Sequence, residues 1–170
     1  MEFQKLLRER HSIRAYQKRE IEEEKLKQIL EAARSAPSAG NLQAYKICVV
    51  KNKQVREKIA EAANQEFLAT APVILVFLQD PSQSSQKYGQ RGENLYSIQD
   101  ATISCAYAQL AAANLGLASV WVGAFDEEEV AKIIGVPSNL RPIAILPIGY
   151  PAEKPTAKTR RPLLELVWEK

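Results

Sequence analysis

Apolar positions along this chain fall first at helical spacing, then in unbroken runs, then at helical spacing again. Phe3, Leu6 and Leu7 share one face of a short helix predicted over residues 2–9. The following "RHSIRAY" has no helical period. A second helix is predicted over residues 22–35: Ile21 leads in, three glutamates load the first turn, and Leu26, Ile29, Leu30 and Ala33 form the stripe. Pro37 stops it. "AYKICVV" reads as the first strand, and "KQVREKIAEAANQEF" as an amphipathic helix carrying Val55, Ile59 and Ala62. "APVILVFLQ" is a continuous apolar run, short enough for a central strand buried on both faces. "DPSQSSQKYGQRGENLY" shows no period and reads as a surface loop, the segment most open to variation or movement.

"SIQDATISCAYAQLAAANLG" is helical and apolar nearly all round, so several of its sides need cover, from a large core or from a subunit interface. Gly116 fits its C-terminal stop. "ASVWVGAF" is predicted as a strand, "DEEEVAKIIGV" as a helix capped by Asp126, and "RPIAILPIGYP" as the last core strand. The tail "AEKPTAKTRRPLLELVWEK" begins polar and ends apolar. Strands and helices alternate unevenly, which excludes a regular doubly wound sheet and predicts an α+β fold around one central sheet. No repeat or linker divides the chain, so residues 1–170 are expected to form one domain.

Composition narrows this picture. The 170 residues are 46% hydrophobic and 25% charged, the balance of a water-soluble chain with enough length for a real core. A net charge of +3 implies no strong polyanion field, and basic residues are interleaved with acidic ones, as in "KREIEEEKLK". Cys48 and Cys105 sit in apolar runs without a nearby partner, which suits reduced, buried thiols. The N-terminus has no apolar signal core, and no run is long enough to span a bilayer. A cytoplasmic protein is expected, with neither a membrane nor a nucleic acid as partner.

Candidate chemistry gathers at the two ends. Arg10, His11, Ser12 and Arg14 lie within five residues. Two guanidinia and a hydroxyl at that spacing suit a phosphate clamp or, more simply, a solvated basic loop. Lys158, Arg160 and Arg161 form a second basic knot with the same two readings. The turn "PSAGN" could be mere punctuation or a place of close backbone approach to a ligand. Neither a GxxxxGK[ST] phosphate loop nor a GxGxxG fingerprint is present. One histidine and no acidic cluster at ligand spacing argue against a metal site. His11 between cations makes a poor general base. Side chains this plain point to a bound cofactor for any demanding reaction.

"RHSIRAY" followed by "AARSAPSAGNLQAYKICVV" resembles the start of the nitroreductase family of FMN-dependent oxidoreductases. The likeness continues through "ATAPVILV", the long apolar helix with "ASVWVGAF", "LPIGYP" and "KTRRPLLELV", nearly the whole chain in order. The resemblance implies a mainly antiparallel central sheet flanked by helices, an intertwined obligate homodimer, and FMN at its interface. It implies that Arg10, His11 and Ser12 hold the phosphate and ribityl end, and that Arg14 is the catalytic cation near the flavin N1–O2 edge. Lys158 and Arg160 match a phosphate pair, with Arg161 as substitute. The second subunit would supply Pro37, Ser38, Ala39 and Asn41, with Gln43 reaching the ring. Val122 and Gly123 match the segment whose backbone N–H faces N5–O4. Gln65 matches an amide aimed at the pyrimidine ring, with Asn64 beside it as the alternative.

The activity implied is electron transfer from NADH or NADPH to a small-molecule acceptor, a nitroaromatic or a quinone, by a ping-pong route. The alternatives are a specialised flavin reaction on the same fold and a non-catalytic flavin-binding protein. A nucleic-acid binder lacks an aromatic platform beside the basic clusters. No long insertion stands between the apolar helix and "ASVWVGAF", which leaves "SQSSQKYGQRGENLY" as the local candidate for a lid.

Overall fold

A computed structural model describes residues 2–156 and 159–170. Its centre is the run Val73–Gln79, the strand β2, in which every residue is buried. Such a strand has no solvent face, so alternation gives way to unbroken apolarity. Strand β1 (Tyr45–Val50) pairs with it antiparallel on one side, and β4 (Arg141–Gly149) does so on the other. The short strand β3 (Ala118–Ser119) adds antiparallel to β4, giving the order β1-β2-β4-β3. The fold is α+β with an antiparallel sheet, as expected.

The pleat sends alternate residues of β2 to opposite cores. Val73, Leu75 and Phe77 meet Leu26, Ile29 and Ala33 of α2 (Glu23–Arg34), together with Cys105, Ala108 and Ala112 of α5 (Ser97–Asn114). Ile74, Val76 and Leu78 meet Ile59 and Ala60 of α3 (Lys53–Ala62) and Val130 of α6 (Glu127–Ile134). Helices therefore cover both faces of the sheet. Each fully buried side chain of this size is worth about 1.5–3 kcal/mol relative to exposure.

Helix starts and stops follow local chemistry. The Asn52 side chain accepts from the Val55 N–H at 3.1 Å, and the Asp126 side chain accepts from the Glu129 N–H at 2.9 Å. Helix α3 ends earlier than its pattern predicts. The chain turns through Asn64 at φ +49°, and a 3₁₀ turn, Glu66–Thr70, follows. The strand expected over "ASVWVGAF" contracts to β3 plus an isolated bridge in which Val122 and Ile145 exchange both backbone hydrogen bonds.

The loop expected over residues 80–96 is a correction: it is helical. Helix α4 (Pro81–Arg91) begins where Asp80 accepts from the Gln83 N–H at 3.1 Å and Pro81 takes the first helical turn. It breaks at Gly89, φ +53°, and a π-helical turn, Gly92–Tyr96, leads into α5. Polar residues along α4 conceal the helix from periodicity, although Asp-Pro is a start signal. Among the described residues no helix is long and apolar enough to cross a membrane.

Candidate functional site

The segment after α1 (Phe3–Glu9) runs extended beside β3. Ser12 forms a parallel bridge with Ser119, and the Ile13 N–H donates to the Ser119 carbonyl at 3.2 Å. Extended backbone has a period of two, so Arg10, Ser12 and Arg14 share one side while Ile13 points inward and is buried. Tyr16 closes the segment. Its hydroxyl donates to the Ile13 carbonyl at 2.7 Å, and burial pushes its pKa up, with the Glu153 carboxylate adding to the shift.

Arg10, His11, Ser12 and Arg14 line one cavity of about 620 Å³. Thr159 and Arg160 close it from the far end of the chain, and Leu7 and Arg8 complete the wall. The two basic ends thus meet. Among the described residues, Arg8, Arg10, Arg14 and Arg160 make no salt bridge. Burial, and then the neighbouring Arg160 charge, lower the Arg10 pKa from the usual guanidinium value. Glu153 Oε1 accepts from the Arg14 backbone N–H at 2.5 Å but pairs with none of these guanidinia, and guanidinia left unpaired form a site that an anion completes. His11 Nδ1–H donates to the Glu9 carbonyl at 2.8 Å.

Not every expected residue joins them. Arg161 pairs with Glu165 at 3.0 Å and does not line the cavity. Lys158 lies outside the described residues. Arg14 stands 5.9 Å from the Phe67 ring centroid, two residues beyond Gln65. The Gln65 amide donates to the Ala124 carbonyl at 3.1 Å and so tethers the loop carrying Gly123. The Val122 N–H is taken by Ile145, whereas the Gly123 N–H has no partner among the described residues. Gly123 is the exposed donor of the pair.

The turn after α2 lies elsewhere. Pro37, Ser38 and Ala39 line a second cavity of about 500 Å³, with Tyr96, Gln99, Asp100, Thr102 and Ile103. Gly40, Asn41 and Gln43 have φ of +57°, +59° and +50°, left-handed positions broken only by Leu42 at φ −80° and uncommon for residues other than glycine. Ser38 Oγ accepts from the Gln43 N–H at 3.0 Å, and Gln43 Nε2 donates to the Asn41 carbonyl at 3.0 Å. Asp100 sits beneath, 1% exposed, and accepts from the backbone N–H groups of Ala39 at 2.9 Å and Ala44 at 3.2 Å.

Asp100 belongs to the first turn of α5, while Ala113, near the helix's other end, borders Arg10 and His11. The rise of an α-helix puts about 20 Å between Asp100 and Ala113. One chain therefore does not bring the left-handed turn to the basic cavity. Sequence reasoning also passed over Arg8 and Thr159, which flank singled-out residues, and Asp100, whose partners lie some 60 positions away.

The residues and their order match known proteins. The nitroreductase family model matches residues 7–67 and 60–150. An Archaeoglobus fulgidus protein provisionally named NADH dehydrogenase/NAD(P)H nitroreductase is 34% identical over 88% of this chain and 86% of its own. A Bacillus subtilis protein named as an NAD(P)H FMN reductase is 33% identical over 93% of this chain and 69% of its own. The crystal structure of a nitroreductase family protein from Clostridium difficile superposes with a TM-score of 0.88 at 36% identity, covering 99% of this chain and 98% of that one. With the family model spanning most of its length, the chain belongs to the nitroreductase family.

Proposed function

We propose that the protein is an FMN-dependent oxidoreductase that takes electrons from NADH or NADPH and reduces nitroaromatic or quinone-type acceptors. The observation that carries this reading is the 620 Å³ cavity, where Arg10, Arg14 and Arg160 meet without a carboxylate partner. The donor set fits a monophosphate with an attached polyol: guanidinia for the dianion, with Ser12 and Thr159 hydroxyls for its oxygens. The name of the Bacillus subtilis relative, an NAD(P)H FMN reductase, supports the same ligand.

When bound, FMN supplies hydride acceptance from the nicotinamide and its delivery to the acceptor. The chain's own work is to bind and to orient. Arg10 and Arg160 hold the phosphate, with Lys158 as a further ligand and His11 and Ser12 beside it. Arg14, permanently charged and on the same cavity wall, would offset negative charge that the bound group acquires. The unpartnered Gly123 N–H would be available to donate to the cofactor, and Gln65 keeps its loop in place. Pro37, Ser38, Ala39, Asn41 and Gln43 come from a second copy of the chain, which spans the separation that α5 imposes. One open face serves donor and acceptor in turn, which yields ping-pong kinetics.

Steady-state turnover with NADH or NADPH and a quinone tests the reading. Parallel double-reciprocal lines are expected from protein reconstituted with FMN. Intersecting lines contradict the ping-pong route, and a chain that binds no FMN contradicts the whole reading.

A further inference from the structure

We infer that Asp100 is a positioning residue: it holds the Pro37–Gln43 turn in the left-handed shape that meets the cofactor of the partner copy. This rests on the functional reading above and adds a residue to it. Three observations carry it. The carboxylate is 1% exposed, and each oxygen accepts one backbone N–H, from Ala39 within the turn and from Ala44 just after it, on either side of the left-handed positions. Gly40, Asn41 and Gln43 between those two residues are left-handed, a region that glutamine in particular rarely adopts. Among the described residues no cation pairs with Asp100, so the two amides and the first turn of α5 balance its charge.

A connection between a helix and a strand needs none of this. Helix α2 already ends at Ser35, and β1 begins at Tyr45. The staple adds control of shape. With both sides clamped, Ser38 Oγ turns back to the Gln43 N–H, Gln43 Nε2 turns back to Asn41, and Asn41 stays on the surface. The carboxylate is an acceptor at both oxygens, whereas an amide is not. Asp100→Asn keeps the volume but turns an NH₂ group toward one of the two N–H donors.

Two readouts test this together: amide hydrogen exchange at Ala39 and Ala44, and the FMN dissociation constant from quenching of FMN fluorescence. In Asp100→Asn, exchange at these two amides is expected to accelerate while β2 keeps its protection, and FMN affinity to fall about tenfold. Faster exchange with unchanged FMN affinity reduces Asp100 to a fold residue and overturns the inference. If Asp100→Asn does not fold, the unmodified protein decides: FMN saturation should slow exchange at Ala39 and Ala44, and unchanged exchange there overturns the positioning role. A wild-type chain that binds no FMN overturns the functional reading and this role with it. Normal wild-type binding with an indifferent variant overturns this role alone.

Discussion

Arg10 carries the electrostatic mark of the basic cavity, because burial and the Arg160 charge both work against its own charge. An anion in that cavity relieves both. Arg10→Ala should therefore raise the FMN dissociation constant by about 10- to 100-fold, the loss of one charge-assisted contact. Arg161→Ala, whose guanidinium is engaged with Glu165, should have the smaller effect. Fluorescence titration of both variants checks the order, and equal losses would contradict this assignment of the phosphate cations. Gly40→Ala meets a different obstacle. Its φ is +57°, and the new Cβ would stand 2.5 Å from the Tyr88 hydroxyl. A loss of about 1–2 kcal/mol in thermal unfolding is expected from the backbone alone; an unchanged Tm would contradict the left-handed turn. The cluster of Arg10, His11, Ser12 and Arg14 was legible in the sequence because the four lie within five residues. Asp100 was not, since a lone aspartate in "SIQDAT" carries no local sign of a distant turn.

Helix α2 is fixed at its start by a cluster that pH should loosen. The Tyr150 hydroxyl lies 2.7 Å from Glu22 Oε2, the Arg19 guanidinium stacks 3.8 Å from the Tyr150 ring centroid, and Lys25 Nζ donates to the Tyr150 hydroxyl at 2.7 Å. The Tyr150 hydrogen bond, foremost, and the Glu22 backbone N–H lower the Glu22 pKa from 4.5 to about 2. A carboxylate with a depressed folded value stabilises fully above its unfolded pKa and loses that contribution as pH falls through the folded one. The stability difference between wild type and Glu22→Gln should thus be present above pH 4.5 and vanish on approach to pH 2. Thermal melts across that range check it, and a pH-independent difference would contradict the cluster. Helix α5 was legible as a segment needing cover on several sides: Ala101, Cys105 and Ala108 are buried, while Ala106 and Tyr107 are exposed. Helix α4 was not legible, because its stripe is polar and its Gly89 break interrupts any period.

A single chain leaves large apolar side chains exposed on α1 (Phe3, Leu7), on β1 (Val49), on α5 and in the tail, and the last two bear on the assembly. Tyr107 is 39% exposed on α5, and Leu163, Leu164, Leu166, Val167 and Trp168 are exposed in the tail, Leu164 at 93%. Burying each large side chain would gain about 1.5–3 kcal/mol. The proposed homodimer covers both and also carries the Pro37–Gln43 turn across the length of α5 to the other copy's basic cavity. Deleting residues 162–170 should then cost FMN binding although Arg10, Arg14 and Arg160 all remain. FMN content after reconstitution measures this, and full occupancy of the truncated chain would contradict the tail's part in the assembly. The central strand buried on both faces followed from its unbroken apolar run. The distance between the basic cavity and the turn did not, because only the folded length of α5 sets it.

Sedimentation velocity recorded at the visible absorbance of the flavin tests the shared-site account most directly. The account predicts one flavin-absorbing boundary at twice the 19.0 kDa chain mass, persisting on dilution and carrying one FMN per chain. A flavin-absorbing boundary at the mass of a single chain would contradict it.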